Sequence, residues 1–294
     1  KTFPQVSAKL RDAMKQGALL FNYSGHGSPE QLSKAVILKE NDFSSISSGN
    51  KYALWVLASC EITPFDSQKN DIGRSAFYNP TGGAVGVVCA SRSVYASYNN
   101  SLNVAYSKYL FGKDEKGMPY SIGDALRMAK MEMVSASKDV SINKLKYVLI
   151  GDPAVRLTAP TGNVVLERIN GTELSAATRL QLKAGSVARF EGYIENGTGT
   201  SADTQFTGIV TTSVFDRKET IVCKNSKSTK PEVYTERTKK IYEGSDSIRN
   251  GRFVLEIPIP RDISYTDDSG RITFYAVNKE HTLECHGYNE QFSL

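Results

Sequence analysis

Two side chains in this 294-residue chain have the types and settings that covalent catalysis requires. His26 stands in NYSGHGSPEQ, between Gly25 and Gly27, directly after the apolar run ALLFNY. Cys60 ends a second apolar run, YALWVLASC. A thiolate is the nucleophilic form of cysteine, and a nearby imidazole can take the thiol proton. Gly25 and Gly27 let the backbone turn tightly. The Gly27 and Cys60 backbone N–H groups are candidate oxyanion-hole donors, which must sit ~2.7–3.1 Å from the developing oxyanion. The same residues admit a plainer reading. A Gly-His-Gly turn can be only a turn, and a cysteine ending an apolar run is commonly buried and inert.

The elements around the pair favour a shared location. PQVSAKLRDAMKQG has Val6, Leu10, Ala13 and Met14 at helical spacing, and Gly17 stops it. The runs ALLFNY, YALWVLASC and GGAVGVVCAS read as strands. Between and after them, helices are expected around Arg74–Tyr78, near Leu102–Phe111, and over about Ile122–Ser137. KYVLIGDPAVRL closes this half. The apolar runs are continuous rather than alternating, as in strands covered on both faces. The expected fold is therefore α/β, a mostly parallel sheet flanked by helices. In such sheets the ligand crevice lies at the carboxyl ends of the strands. His26 comes after one strand and Cys60 ends the next, so both fall at that edge. Cys89 also ends a strand but has no histidine near it in sequence, and it is expected to be buried and slow to react.

After Pro160 the pattern changes. SVARFEGYIE, TGIVTTSVFD, GRFVLEIPIP and GRITFYAVN are rich in β-branched and aromatic residues and are separated by Gly, Asn and Asp turns. This predicts an all-β sandwich over 164–294, after a catalytic half over 1–158. Thr158–Asn163, TAPTGN, is the expected connection. VCKNSKSTKPEVYTERTKK (222–240) is expected to be an exposed loop or hairpin.

Composition narrows the class. With 40% hydrophobic and 23% charged residues the chain is ordinary for a globular protein. The net charge of +5 comes without a basic block interleaved with aromatics, so no nucleic-acid partner is expected. No apolar run approaches the ~20 residues that span a bilayer as a helix. The sequence opens on Lys1 without a signal-peptide pattern, and an internal piece of a longer precursor is expected. Cys60, Cys89, Cys223 and Cys285 form no CxxC pair, which argues against zinc. Whether Cys223 and Cys285 pair is open at this stage, because pairing depends on geometry. His281 and His286 flank Cys285 and read as surface side chains before metal ligands.

The pair sits inside a longer pattern. NYSGHG, then ASCE followed by FD, then GGAV, SRSVYASYN and finally GDPAVRL resemble the gingipain-like cysteine peptidases of the caspase-like fold. Residues 240–292 resemble the immunoglobulin-like domain that comes after the catalytic domain in the PorU-type branch, the signal peptidase and sortase of the type IX secretion system. The resemblance covers nearly the whole chain, most specifically 19–157 and 240–292. It implies that His26 is the base and Cys60 the nucleophile, with the Gly27 and Cys60 amides as the oxyanion hole. Ala90–Tyr95 would line the substrate cleft, including Ser93 and Tyr95. Arg92 becomes a candidate specificity residue, or else a surface arginine. Glu61 is suited to orient a substrate amine, or else faces solvent. Asp152 reads as a turn residue. In this family, strands before the histidine strand carry the acid that orients the histidine, so that acid is expected in an N-terminal part of the same protein.

What the resemblance implies about function is an endopeptidase or transpeptidase. It would remove a C-terminal sorting domain from secreted cargo and pass the acyl-enzyme to water or to an amine on a surface glycolipid. Two other readings stand beside it: a degradative gingipain-like protease with narrow side-chain preference, and a non-catalytic assembly scaffold. The implied partners are sorting-domain cargo and outer-membrane secretion proteins. The implied location is the outer surface of a Gram-negative cell after periplasmic passage. No cofactor is required; structural calcium is compatible with the family, with no ligands assigned.

Overall fold

The computed structural model describes residues 3–115, 118–157, 160–176, 178–197, 199, 201–223, 231–263 and 268–294. The chain divides into two compact units, Lys1–Thr158 and Ala159–Leu294. The expected connection begins at Thr158 and Ala159, which lie outside the described residues.

The first unit runs α1 (Pro4–Gln16), β1 (Leu20–Ser24), β2 (Gln31–Leu32), β3 (Leu38–Lys39), α2 (Glu40–Ser45), β4 (Ala53–Ala58), α3 (Ile72–Tyr78), β5 (Ala84–Ala90), α4 (Ala96–Leu110), α5 (Ile122–Ser135), a 3-10 turn at Asn143–Lys146 and β6 (Tyr147–Gly151). Local chemistry places several boundaries. Pro4 opens α1 where its missing N–H is harmless, and Gly17, at φ 82°, closes it. The Asp71 and Ser121 side chains accept the Arg74 and Asp124 N–H groups and so cap α3 and α5. Helix α4 starts earlier than its apolar spacing suggested, at Ala96, because Asn99, a polar residue, is part of its buried face.

The sheet order is β1-β4-β5-β6. β1, β4 and β5 are parallel, while β6 runs antiparallel to β5. Every residue of β4 is buried, and its side chains alternate between two cores. Trp55 and Leu57 join Met14 of α1, Phe43 of α2 and Ile72 and Ala76 of α3. Leu54 and Val56 join Leu102 and Tyr106 of α4 and Leu126 and Met133 of α5. Helices thus cover both faces, which is why the strands read as unbroken apolar runs. Val6 is the exception among the α1 positions, since it is exposed. Trp55 stacks on Phe21 of β1 at 4.3 Å and meets Phe43 edge-on at 4.9 Å. Such pairs add about 0.5–1.5 kcal/mol each beyond area burial; the first holds β1 against β4 and the second holds α2 against β4.

The second unit is all β: β7 (Gly162–Ile169), β8 (Thr172–Glu173), β9 (Leu180–Gln181), β10 (Val187–Ile194), β11 (Gly208–Phe215), β12 (Glu219–Val222), β13 (Val233–Glu236), β14 (Lys240–Ile248), β15 (Arg252–Pro258), β16 (Arg271–Asn278), β17 (Glu284–Asn289) and β18 (Phe292–Ser293). Its main sheet runs β14-β11-β16-β17-β7-β10-β15, with β8 beside β7. Phe253 of β15 touches Phe274 of β16 at 5.5 Å, although these strands are far apart in that order. The sheet therefore folds over into a two-layer sandwich around a single core. Burial along β15 alternates strictly, as expected of strands with one wet face. β12 and β13 pair antiparallel, forming the expected hairpin, whose residues 224–230 lie outside the described ones. Cys223 and Cys285 are both free thiols, so they do not pair. Among the described residues no helix is long and apolar enough to cross a membrane.

Candidate functional site

β1 and β4 pair in register from Leu20↔Leu54 to Ser24↔Ala58 and end together. The turns after them hold His26 and Cys60, so both leave the sheet at the same edge. The histidine turn is braced through its backbone. The His26 carbonyl accepts the Tyr23 hydroxyl at 2.6 Å and the Ser33 N–H at 2.7 Å. Ser28 N–H bonds the Gln31 carbonyl at 2.9 Å, which seats Gly27 opposite Leu32. In this antiparallel pattern the bonds flank Gly27, and its own N–H stays out of the ladder. The His26 side chain is exposed.

The two turns also meet each other. A Cβ on Gly27 would intrude on the Ser59 hydroxyl and come within 2.9 Å of Ile62 Cδ1. Only a bare Cα lets the histidine turn lie on the turn that carries Cys60. Gly27 keeps an ordinary φ, so the demand is one of close approach rather than of a left-handed backbone. The Ser59 hydroxyl is buried and has no partner among the described residues.

Cys60 is half-buried, and its Sγ–H donates to the Val94 carbonyl at 3.4 Å. Its backbone N–H, like that of Gly27, makes no intrachain hydrogen bond among the described residues. Neither N–H is thereby committed to a backbone partner within the chain, which is the condition an oxyanion donor must meet. No His26–Cys60 hydrogen bond forms among the described residues; the thiol proton is held by Val94 instead. Catalytic hydrogen bonds are commonly looser without substrate and tighten in the complex.

Glu61 adopts φ 49°, a left-handed conformation unusual for a residue with a long side chain. Its N–H bonds the Arg92 carbonyl at 3.3 Å, and its carboxylate accepts the Ser93 hydroxyl at 2.9 Å. The turn that carries Cys60 is thereby stitched to the segment after β5. Arg92 forms a 2.8 Å ion pair with Asp66 and donates to the Ser91 carbonyl, so its charge is engaged on the surface. Tyr95 is 65% exposed, with the Lys146 ammonium 5.9 Å from its ring centre. The structure thus brings Glu61, Arg92, Ser93 and Tyr95 to the edge that carries Cys60.

Cys89 is fully buried beneath this edge, and burial above all pushes its thiol up to about 12. Its sulfur lies 3.6 Å from Thr63 Oγ1, which in turn donates to Asp71. Asp152 accepts the Ala154 N–H and shapes a turn, away from any catalytic part. Two residues that the sequence did not single out also reach the site. Asn143 accepts the Tyr95 N–H at 2.8 Å, and Lys146 donates to the Ser93 carbonyl at 2.6 Å. No spacing or motif marks them, because their partners are about fifty residues away. Calcium finds no cluster of three or more His, Cys, Asp or Glu side chains among the described residues.

The sequence model of peptidase family C25 matches residues 1–158. Among solved structures, the chain is similar to dimeric latent PorU from Porphyromonas gingivalis at 26% identity, with a TM-score of 0.44 over 72% of this chain and 20% of that one. It is similar to the Arg-specific cysteine proteinase gingipain R (RgpB) at 15% identity, with a TM-score of 0.48 over 97% of this chain and 55% of that one. The complex of Porphyromonas gingivalis RgpB pro- and mature domains matches at 14% identity and TM-score 0.48, over 97% of this chain and 56% of that one. The chain therefore spans about a fifth of the PorU chain and just over half of the RgpB chains. Comparison with the curated proteins yields no match.

Proposed function

The chain belongs to peptidase family C25, and on that premise we propose that it is a cysteine endopeptidase in which Cys60 attacks a peptide carbonyl and His26 takes the thiol proton. One observation carries the assignment: the histidine turn lies directly on the nucleophile turn, through the contact that Gly27 makes with Ser59 and Ile62. That contact supports a thiol and an imidazole converging on one substrate carbonyl. The reaction divides into two steps. Cys60 Sγ bonds the carbonyl carbon, and the oxyanion is received by the Gly27 and Cys60 N–H groups. The imidazolium then returns its proton to the departing amine, leaving a thioester. Water or a second amine, deprotonated by His26, attacks the thioester and frees the thiol.

We further propose that the substrate is secreted cargo carrying a C-terminal sorting domain, processed at the outer surface of a Gram-negative cell in company with outer-membrane secretion proteins. The sequence of residues 240–292, which resembles the domain after the catalytic one in the PorU-type branch, is what motivates this reading. An N-terminal part of the same protein would complete the sheet and supply the acid behind His26. Acyl transfer to a glycolipid amine fits the same thioester. The test is processing of sorting-domain cargo by protein that includes any upstream catalytic strands. Cys60→Ala should leave the precursor uncleaved while the protein stays folded. Cleavage at the unmutated rate would make Cys60 structural. Cleavage of small peptides with cargo left intact would favour a degradative peptidase.

A further inference from the structure

The Cys60 thiol donates to the carbonyl of Val94 at 3.4 Å. The Asn143 side-chain oxygen accepts the N–H of Tyr95 at 2.8 Å. That carbonyl and that N–H belong to one peptide unit, Val94–Tyr95. A trans peptide is planar, and its N–H and C=O point in opposite directions. Fixing one end therefore aims the other. Asn143 grips the unit from behind, and the carbonyl it aims meets the nucleophile.

Asn143 is well placed to act as a fixed post. It is 1% exposed, and its side-chain NH2 donates to Asn99 Oδ1 at 3.2 Å. Its backbone N–H bonds Ser141 Oγ at 3.0 Å. Lys146, three residues on, donates to the Ser93 carbonyl, and the Lys146 carbonyl accepts Ser91 N–H. The 3-10 turn that leads into β6 thus holds the 91–95 segment at three points. Only the Asn143 bond bears on the peptide that touches sulfur. A bond to the N–H also polarises the carbonyl on the far side, which strengthens it as an acceptor.

We propose that Asn143 is a positioning residue for the nucleophile: by holding the Val94–Tyr95 peptide it fixes the Val94 carbonyl as the resting acceptor of the Cys60 thiol proton. The arrangement sets the rotamer of the sulfur. A carbonyl can accept only from the S–H form, so this bond must break before the sulfur can attack. The inference rests on Cys60 being the nucleophile, but it is tested without any turnover.

The experiment measures alkylation of Cys60 by iodoacetamide against pH, on the full chain, with each cysteine quantified by peptide mass spectrometry. Asn143→Ala should lower the midpoint of the Cys60 profile and speed alkylation at neutral pH roughly threefold, the scale of a weak S–H donor bond. Asn143→Asp keeps an acceptor for the Tyr95 N–H, and its midpoint should lie at or above that of the unmutated chain. Cys89 must stay protected in both variants, which reports that the fold is intact. A merely structural role would move neither midpoint or would move both the same way. Asn143→Ala with Cys89 protected and an unchanged Cys60 midpoint would overturn the proposal. If Asn143→Ala fails to fold, Asn99→Ala carries the test. It frees the Asn143 amide, should shift the midpoint down by a smaller amount, and overturns the proposal if the midpoint does not move. Loss of cargo processing in Cys60→Ala is a separate readout, so either idea can fail alone.

Discussion

Gly27 is seated on Ser59 with no room for a Cβ between them. This contact sets how closely the turn that carries His26 approaches the turn that carries Cys60. Gly27→Ala should therefore push the two turns apart. Overpacking of this kind costs about 1–3 kcal/mol, readable as a lower urea midpoint with an unchanged slope. Peptidase activity should fall further than stability, because sub-ångström misplacement of a base is felt strongly in rate. Full activity in Gly27→Ala would show that the contact does not set the catalytic geometry.

His26→Ala should lose nearly as much peptidase activity as Cys60→Ala, each roughly a thousandfold or more. A free cysteine thiol, with pKa ~8.5, is only a few per cent thiolate at neutral pH and needs the base. The double variant should be no worse than Cys60→Ala alone, since both residues serve one step. Additive losses in a double-mutant cycle would mean that the two act independently.

Cys89 should resist alkylation across pH 7–10 in the folded chain, because burial raises its thiol to about 12. The same shift makes a statement about stability. Above the ordinary value of 9.0 the unfolded chain releases this proton while the folded chain keeps it. The contribution is complete below pH 9.0 and is lost as pH rises towards about 12. Cys89→Ala should flatten that alkaline loss in a chemical-denaturation series. Rapid labelling of Cys89 with Cys60 untouched would reverse the assignment of nucleophile.

Glu132 on α5 receives Lys108 from α4 at 2.8 Å and Lys138 at 2.6 Å. These bonds, Lys108 first, hold its carboxyl down at about 2, below the ordinary 4.5. Its contribution is present above pH 4.5 and disappears as pH falls through about 2. Lys108 is 62% exposed, so solvent screens the pair and the effect is small. Glu132→Gln should reduce stability slightly at neutral pH and flatten the acid limb. The difference should shrink in about 0.5 M salt, where the screening length falls below the physiological ~8 Å.

Much of this protein is legible without coordinates. YALWVLASC announces a strand covered on both faces, and β4 alternates between two cores along its whole length. The period shift after Pro160 announces the sandwich. His26 and Cys60 are legible as a pair because neighbouring parallel strands deliver the turns at their carboxyl ends to one edge. That rule needs only the order of the elements, and local sequence supplies the order. The tertiary structure alone decided what surrounds the pair. It engaged Arg92 with Asp66 and stitched Glu61 to Ser93. It also turned the thiol to Val94, and it set Asn143 behind that peptide from 48 positions away. None of these has a spacing signal, because each partner comes from a different loop. Hydrophobic periodicity records which face of an element is buried. It does not record which polar atom on one loop will meet another, and that pairing is fixed only once the packed elements bring the loops together.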